Sequence, residues 1–151
     1  MKLETPFGPA WAECTESGAI VRFGFGVPNA PELRGYNPEL LRQLTEYFAG
    51  RRAAFDLPLE PAGTEFQQRV WAELLRIPAG FRITYTELAS RAGRPGAARA
   101  AGRANATNPI ALLIPCHRVT GSDGSLTGYL YGVELKAKLL HFELARYGKT
   151  T

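Results

Sequence analysis

Residues 84–104 read Thr-Tyr-Thr-Glu-Leu-Ala-Ser-Arg-Ala-Gly-Arg-Pro-Gly-Ala-Ala-Arg-Ala-Ala-Gly-Arg-Ala. Thr84 with Glu87 three positions on has capping-box spacing and predicts a short helix to about Ala92. Gly93-Arg94-Pro95-Gly96 then turns the chain, and Ala97 to Ala104 predicts a second helix. Two short helices joined by a Gly-containing turn, with Arg94, Arg99 and Arg103 around the second, fit a helix-turn-helix or a plain helical hairpin. The second helix is built from tiny residues, whereas a reader of major-groove base edges carries Asn, Gln, Arg or Ser. Small residues let a helix backbone approach another surface closely, either a second helix or a sugar-phosphate wall. Arg99 and Arg103, four apart and on one face, are its long side chains, and an Arg inserted into a base stack helps to extrude a nucleotide.

Upstream, Thr64 and Gln67 repeat the capping-box spacing, and Phe66, Val70, Leu74 and Ile77 form an apolar stripe that ends at Pro78-Ala79-Gly80. Arg51 to Gly63 contains Pro58 and Pro61 and reads as an extended linker, which places a domain boundary between 1–63 and 64–151. In the first part, residues 9–14 and 19–25 alternate around Glu16-Ser17-Gly18 as a β-hairpin, and Val27 to Tyr36 reads as loop. From Pro38 to Phe48, residues Leu40, Leu41, Leu44, Tyr47 and Phe48 share one helical face, with Gly50 as the stop. Charge divides unevenly: six basic and eight acidic residues precede Thr64, twelve and six follow. That asymmetry points to a polyanionic partner for the second part.

With 45% hydrophobic and 21% charged residues, the composition is that of a folded soluble chain. No apolar run approaches the roughly 20 residues of a bilayer span, and the N-terminus lacks the apolar core of a secretory signal. A cytoplasmic location follows, with Cys14 and Cys116 as free thiols. Cys14, Cys116, His117 and His141 show no ligand pairing of zinc-site spacing, so no metal is expected.

The apolar run Asn108-Pro109-Ile110-Ala111-Leu112-Leu113-Ile114 delivers Pro115-Cys116-His117-Arg118-Val119. A Cys at the end of a buried run is either an inert packed thiol or a nucleophile. Here His117 is adjacent as a base, and Arg118 adds positive potential that would lower the thiol below its free pKa of about 8.5. In the last helix, Leu135, Leu139, Leu140 and Leu144 mark an apolar side that Glu143 shares. A carboxylate partly buried there needs a partner, which His117 would supply, completing a Cys-His-Glu relay; alternatively Glu143 sits at the edge of the stripe and reaches solvent or pairs with Arg146.

Pro115-Cys116-His117-Arg118-Val119 with upstream Asn108-Pro109 resembles the active-site signature of the O6-alkylguanine-DNA alkyltransferases. The resemblance extends over Thr64-Glu65-Phe66-Gln67-Gln68-Arg69-Val70-Trp71, Thr84-Tyr85-Thr86-Glu87-Leu88-Ala89, Ala97-Ala98-Arg99-Ala100, Gly124-Ser125-Leu126-Thr127-Gly128-Tyr129, and Leu139-Leu140 with Glu143, covering residues 64–147 in order. It implies an α+β fold: a small N-terminal ribonuclease-H-like α/β domain, similar only in its order of elements, then a mainly helical domain with a helix-turn-helix. It implies an irreversible, stoichiometric transfer of an alkyl group from guanine O6 in DNA to Cys116 after base flipping, with no cofactor.

In that family pattern His117, through a water and with Glu143, deprotonates the thiol, and Asn108 holds the turn between the DNA-binding helices and the active-site strand. Tyr85 sits near the flipped base and donates a proton to the leaving guanine, and Arg99 fills the vacated stack. Ala97, Ala98, Ala100 and Gly102 line a helix in the minor groove of double-stranded DNA, bound by a monomer. Pro115, Cys116, Val119, Tyr129, Leu130 and Tyr131 surround the base. The family continues after Tyr129 with a small residue and two glycines, where this chain has Leu130-Tyr131-Gly132, so pocket size is the open point. Alternatives are an alkyltransferase-like damage sensor, whose members lack the acceptor cysteine present here; a regulatory helix-turn-helix protein, for which the second helix offers too few base-reading groups; and a thiol hydrolase. The last is disfavoured because adjacent Cys and His point apart in a strand and no oxyanion site is evident.

Overall fold

The computed structural model describes residues 1–28 and 32–148. The fold is mixed α+β, with two small sheets and five α-helices among the described residues, and the chain forms two compact units. The first comprises Met1–Ala62 with Pro109–Leu113, the second Gly63–Asn108 with Ile114 onward.

In the first unit β1 (Lys2–Thr5), β2 (Gly8–Cys14) and β3 (Ile20–Phe25) form an antiparallel sheet in that order. The hairpin lies where the alternation places it, while β1 is too short to show a period, with one buried residue, Leu3. The 51–63 linker is partly paired: Ile20 N donates to Pro58 O and Glu60 N to Ile20 O. Helix α1 (Pro38–Phe48) starts at Asn37, whose side chain accepts from Glu39 N, and buries Leu40, Leu44 and Tyr47. Of the loop read over 27–36, residues 29–31 lie outside the described residues. Pro109–Leu113, which the sequence assigns to the second domain, instead runs beside β3: Phe23 N donates to Pro109 O and Ala111 N to Phe23 O. Its continuous apolar character is that of a segment buried within the first unit.

In the second unit, helix α2 (Glu65–Leu74) opens with the full reciprocal capping box of Thr64 and Gln67. Val70, Leu74 and Ile77 are buried as the stripe predicts, but Phe66 is only half-buried, and Trp71 is buried with its indole N–H donating to Ala104 O at 2.8 Å. A two-residue strand β4 (Ile83–Thr84) leads into α3 (Tyr85–Arg91). Thr84 Oγ1 accepts from Glu87 N, whereas the Glu87 carboxylate takes Arg91 instead of returning to the cap. Gly93 and Gly96, at φ of 86° and 85°, make the turn that only glycine adopts freely, and α4 (Ala98–Ala106) follows, with Ala97 as its cap. Strand β5 (Val119–Thr120) pairs parallel with β4, Ile83 opposite Val119 and Thr84 opposite Thr120. This pairing sets the start of α3 beside the residues just before Val119. Helix α5 (Val133–Tyr147) closes the unit.

Candidate active site

Cys116, His117 and Arg118 form a single 3-10 turn between Pro115 and β5, not the strand the apolar run suggests. Leu112, with φ of 67°, and Pro115 interrupt the extension before it reaches Cys116. The three side chains are buried, His117 completely. Two asparagines at the end of α4 and just beyond hold the turn. Asn105 Nδ2 donates to Cys116 O at 3.2 Å and Asn108 Nδ2 to Ile114 O at 2.8 Å.

His117 Nε2 lies 2.9 Å from Glu143 Oε1. Arg118 grips the same carboxylate with both ends of its fork, Nε to Oε1 at 2.8 Å and Nη2 to Oε2 at 2.6 Å, and its Nη1 donates to Ile77 O. Burial pushes Glu143 up, but the charges and hydrogen bonds of His117 and Arg118 outweigh it and hold the carboxyl well below the usual range. An ionised carboxylate only accepts, so Nε2 carries the proton of the neutral imidazole. Burial also lowers the His117 pKa, against the pull of Glu143, so the ring is neutral near pH 7. Nδ1 is thereby left as an acceptor, and it is buried without a hydrogen-bond partner. Of the two partners open to Glu143, His117 is the one it takes; Arg146 lies exposed on α5.

Two expectations about charge are corrected. Burial raises the Cys116 thiol above its ordinary value instead of lowering it, with a hydrogen bond from Asn108 and the charge of Lys136 working the other way. Arg118 does not serve the thiol, because its guanidinium is committed to Glu143 and Ile77. The cation near the sulfur is Lys136, which the sequence reading passed over. It is fully buried; Nζ donates to Thr127 O at 2.9 Å and lies 3.4 Å from the Tyr85 hydroxyl. The inward face of α5 is Lys136, Leu139 and Glu143, while Leu144 is 61% exposed and Leu135 and Leu140 are half-buried. Helical spacing from Glu143 through Leu139 back to Lys136 was the available signal.

Tyr85, the first residue of α3, donates its hydroxyl to Thr127 O at 2.9 Å, and burial raises its pKa. Its ring meets Gly102 of α4, and a Cβ on Gly128, which has φ of 72°, would stand 3.4 Å from its oxygen. Ala98, Arg99, Gly102 and Tyr85 line one groove of about 500 Å³. Arg99 is exposed, and Ala97, Ala98, Ala100 and Gly102 are half-buried. Pro115 and Val119 are buried on either side of the turn. Tyr129 is 8% exposed; burial raises its pKa, and the charge of Cys116 acts in the same direction. Tyr131 packs edge-to-face on Tyr129 with centroids 5.8 Å apart, whereas Leu130 is 73% exposed and turned out of the pocket.

The second unit thus sets two short helices joined by a glycine turn in one fold with buried Cys116, His117 and Glu143, and comparison with known proteins gives its class. Residues 65–145 match the family model of the DNA-binding domain of 6-O-methylguanine DNA methyltransferase. A methylated-DNA–protein-cysteine methyltransferase of Methanosarcina barkeri is 54% identical over 105 residues, covering 70% of this chain and 66% of that protein. Its counterpart in Methanosarcina acetivorans is 46% identical over 147 residues, covering 93% and 94%. The crystal structure of Mycobacterium tuberculosis OGT in complex with DNA superposes with a TM-score of 0.89 at 40% identity, covering 97% of this chain and 93% of that one. The chain belongs to the methylated-DNA–protein-cysteine methyltransferases, DNA-binding enzymes of direct-reversal repair.

Proposed function

We propose that Cys116 is the alkyl acceptor, taking the group irreversibly from O6 of guanine in double-stranded DNA that α4 engages through the minor groove. The observation that carries this reading is the contact of His117 Nε2 with Glu143: it favours the proton on Nε2, which leaves Nδ1, in the same tight turn as the thiol, ready to accept one. The thiol proton passes through a water to Nδ1, and Glu143 stabilises the cation that forms. The sulfur attacks the alkyl carbon, the carbon–O6 bond breaks, and its electron pair leaves with the guanine. Tyr85, kept protonated by its raised pKa, donates the proton that neutralises the leaving base. Lys136, 3.4 Å from that oxygen, stabilises the phenolate left behind. S-alkylcysteine has no route back to thiol, so each molecule acts once.

The small residues of α4 admit its backbone to a narrow groove, and Arg99, beside Tyr85 in the same groove, fills the stack that the flipped base leaves. Asn108 holds the Cys116 turn, and Pro115, Val119, Tyr129 and Tyr131 bound the base. Every one of these groups comes from one chain, which supports action as a monomer. The free thiols Cys14 and Cys116 suit the reducing cytoplasm, and no described helix is long and apolar enough to cross a membrane.

Intact mass spectrometry after incubation with a duplex carrying O6-methylguanine tests the reading. The expected result is one methyl group on the peptide containing Cys116. An unmodified thiol after stoichiometric binding would establish a damage sensor instead.

A further inference from the structure

Helix α4 has a second groove on the side away from Tyr85, between it and the start of α2. It encloses about 520 Å³, and its lining includes Phe66, Arg94, Arg103 and the small Ala100 and Ala104. Gln67 Nε2 donates to Thr107 Oγ1 at 3.0 Å and ties the two helices together there. Phe66, the member of the α2 stripe that is not buried, serves as a platform: the Arg94 guanidinium lies 4.2 Å from its ring centroid and that of Arg69 5.8 Å. Stacking fixes a planar guanidinium without consuming its hydrogen-bond donors.

Arg69, Arg94 and Arg103 make no ion pair with a carboxylate among the described residues. Glu65 lines the groove but pairs with none of them. Two guanidinium groups gathered on one ring with no anion between them repel each other, and a polyanion laid along the groove relieves that repulsion. Arg103 lines both grooves, so cations flank α4 on each side. A helix lying in the minor groove has one DNA strand on either side of it.

Resting on the DNA-repair reading above, we propose that this second groove holds the phosphate backbone of the strand opposite the one whose base is flipped. Arg94, Arg69 and Arg103 are its contacts, and Phe66 is the positioning residue for the first two.

The test measures binding of the wild type and an Arg69→Ala/Arg94→Ala double variant to duplexes with neutral methylphosphonate linkages on one strand or the other. Wild-type binding should weaken when the opposite strand is neutralised, and the double variant should be insensitive to that change. The log–log salt slope should fall by about 2 in the double variant, near 0.9 for each phosphate that the protein no longer neutralises. Phe66→Leu, which keeps an apolar side chain, should give an intermediate loss. Arg146→Ala, equal in charge per site but on α5, should leave the strand preference intact. Equal sensitivity of both proteins to opposite-strand neutralisation, or a loss that follows the lesion strand, would overturn the proposal. Failure of the wild type to gain a methyl group would overturn the repair reading instead, while the strand preference in binding the same lesion-bearing duplexes still decides the groove.

Discussion

Charge is used in opposite ways in two parts of the second unit. Around the reactive turn, Glu143, His117 and Arg118 are buried together, and the carboxylate is matched by both neighbours. On α2, on α4 and in the turn before α4, Arg69, Arg99, Arg103 and Arg94 are exposed without a carboxylate partner among the described residues. A buried charge must be satisfied within the fold, because desolvation costs several kcal/mol. An exposed one can wait for an outside anion. On the function proposed above, the buried set would govern the chemistry and its pH dependence, and the exposed set encounter with DNA and its dependence on salt.

The largest expected effect separates the two sets completely. Cys116→Ser should bring methyl transfer below detection while leaving duplex affinity unchanged, since the alcohol is far less acidic than the thiol. Loss of binding in parallel would show that the turn and the DNA surface are not separable. Glu143→Gln comes next. It leaves the Arg118 fork without a carboxylate, and breaking a buried pair from one side costs about 3–5 kcal/mol, measured as a fall in the denaturation midpoint. Transfer should also slow, because an amide cannot stabilise cationic His117, and an unchanged pH–rate profile would remove Glu143 from the relay.

The same cluster fixes the sign of the acid response. His117 has a folded pKa below the ordinary 6.5, so its contribution to stability is full above that value and is lost as pH falls from 6.5 through the folded pKa. Glu143, also depressed, contributes fully above 4.5 and loses its share on further acidification. Chemical denaturation between pH 7 and 4 should therefore show a decline that starts near 6.5, and a flat profile down to 4.5 would show that His117 is not held neutral.

A smaller, surface-specific effect is expected at Arg99. Arg99→Ala should slow repair of duplex DNA roughly tenfold to a hundredfold, as unstacking a base costs a few kcal/mol. Single-stranded substrate, with no stack to fill, should lose less. Equal losses on both would reduce Arg99 to a phosphate contact.

The exposed set was the more legible in the sequence. Capping spacings at Thr64 and Thr84, glycines at 93 and 96 and the run of small residues are local signals, and the starts of α2, α3 and α4 lie within a residue or two of them. The buried set depends on contacts across the chain, and there local pattern failed in specific ways. Of the leucines read as the apolar side of α5 only Leu139 is fully buried beside Glu143, because much of the interior the helix meets is polar: Lys136 bonds to Thr127 O, and Glu143 to Arg118 and His117. Hydrophobicity then reports the edge of the packed face. The thiol pKa failed for a related reason, since Arg118 is adjacent in sequence but turned to Glu143, and only depth of burial decides the direction. Pro109–Leu113 looked like a lead-in to the active site because adjacency in sequence says nothing of the sheet it joins.

The smallest expected effect lies where the chain departs from its family, at Leu130-Tyr131. Leu130 faces outward and should be neutral to substitution, within about 0.5 kcal/mol. Tyr131 packs edge-to-face on the buried ring of Tyr129 at 5.8 Å and braces it, and the charge of Cys116 acts on Tyr129. A braced wall resists moving aside for a bulky group, at a cost of about 0.5–1.5 kcal/mol for an aromatic pair. Methyl needs no such movement, whereas a benzyl group needs a slot for a whole ring. Free O6-benzylguanine should thus be a poor substrate, and Tyr131→Gly should raise its rate constant several-fold, up to about tenfold, relative to that for methylated DNA. Both rates are read by mass on the peptide containing Cys116. An unchanged ratio would mean that Tyr129 holds its place without the brace and that Tyr131 has no part in selecting the alkyl group.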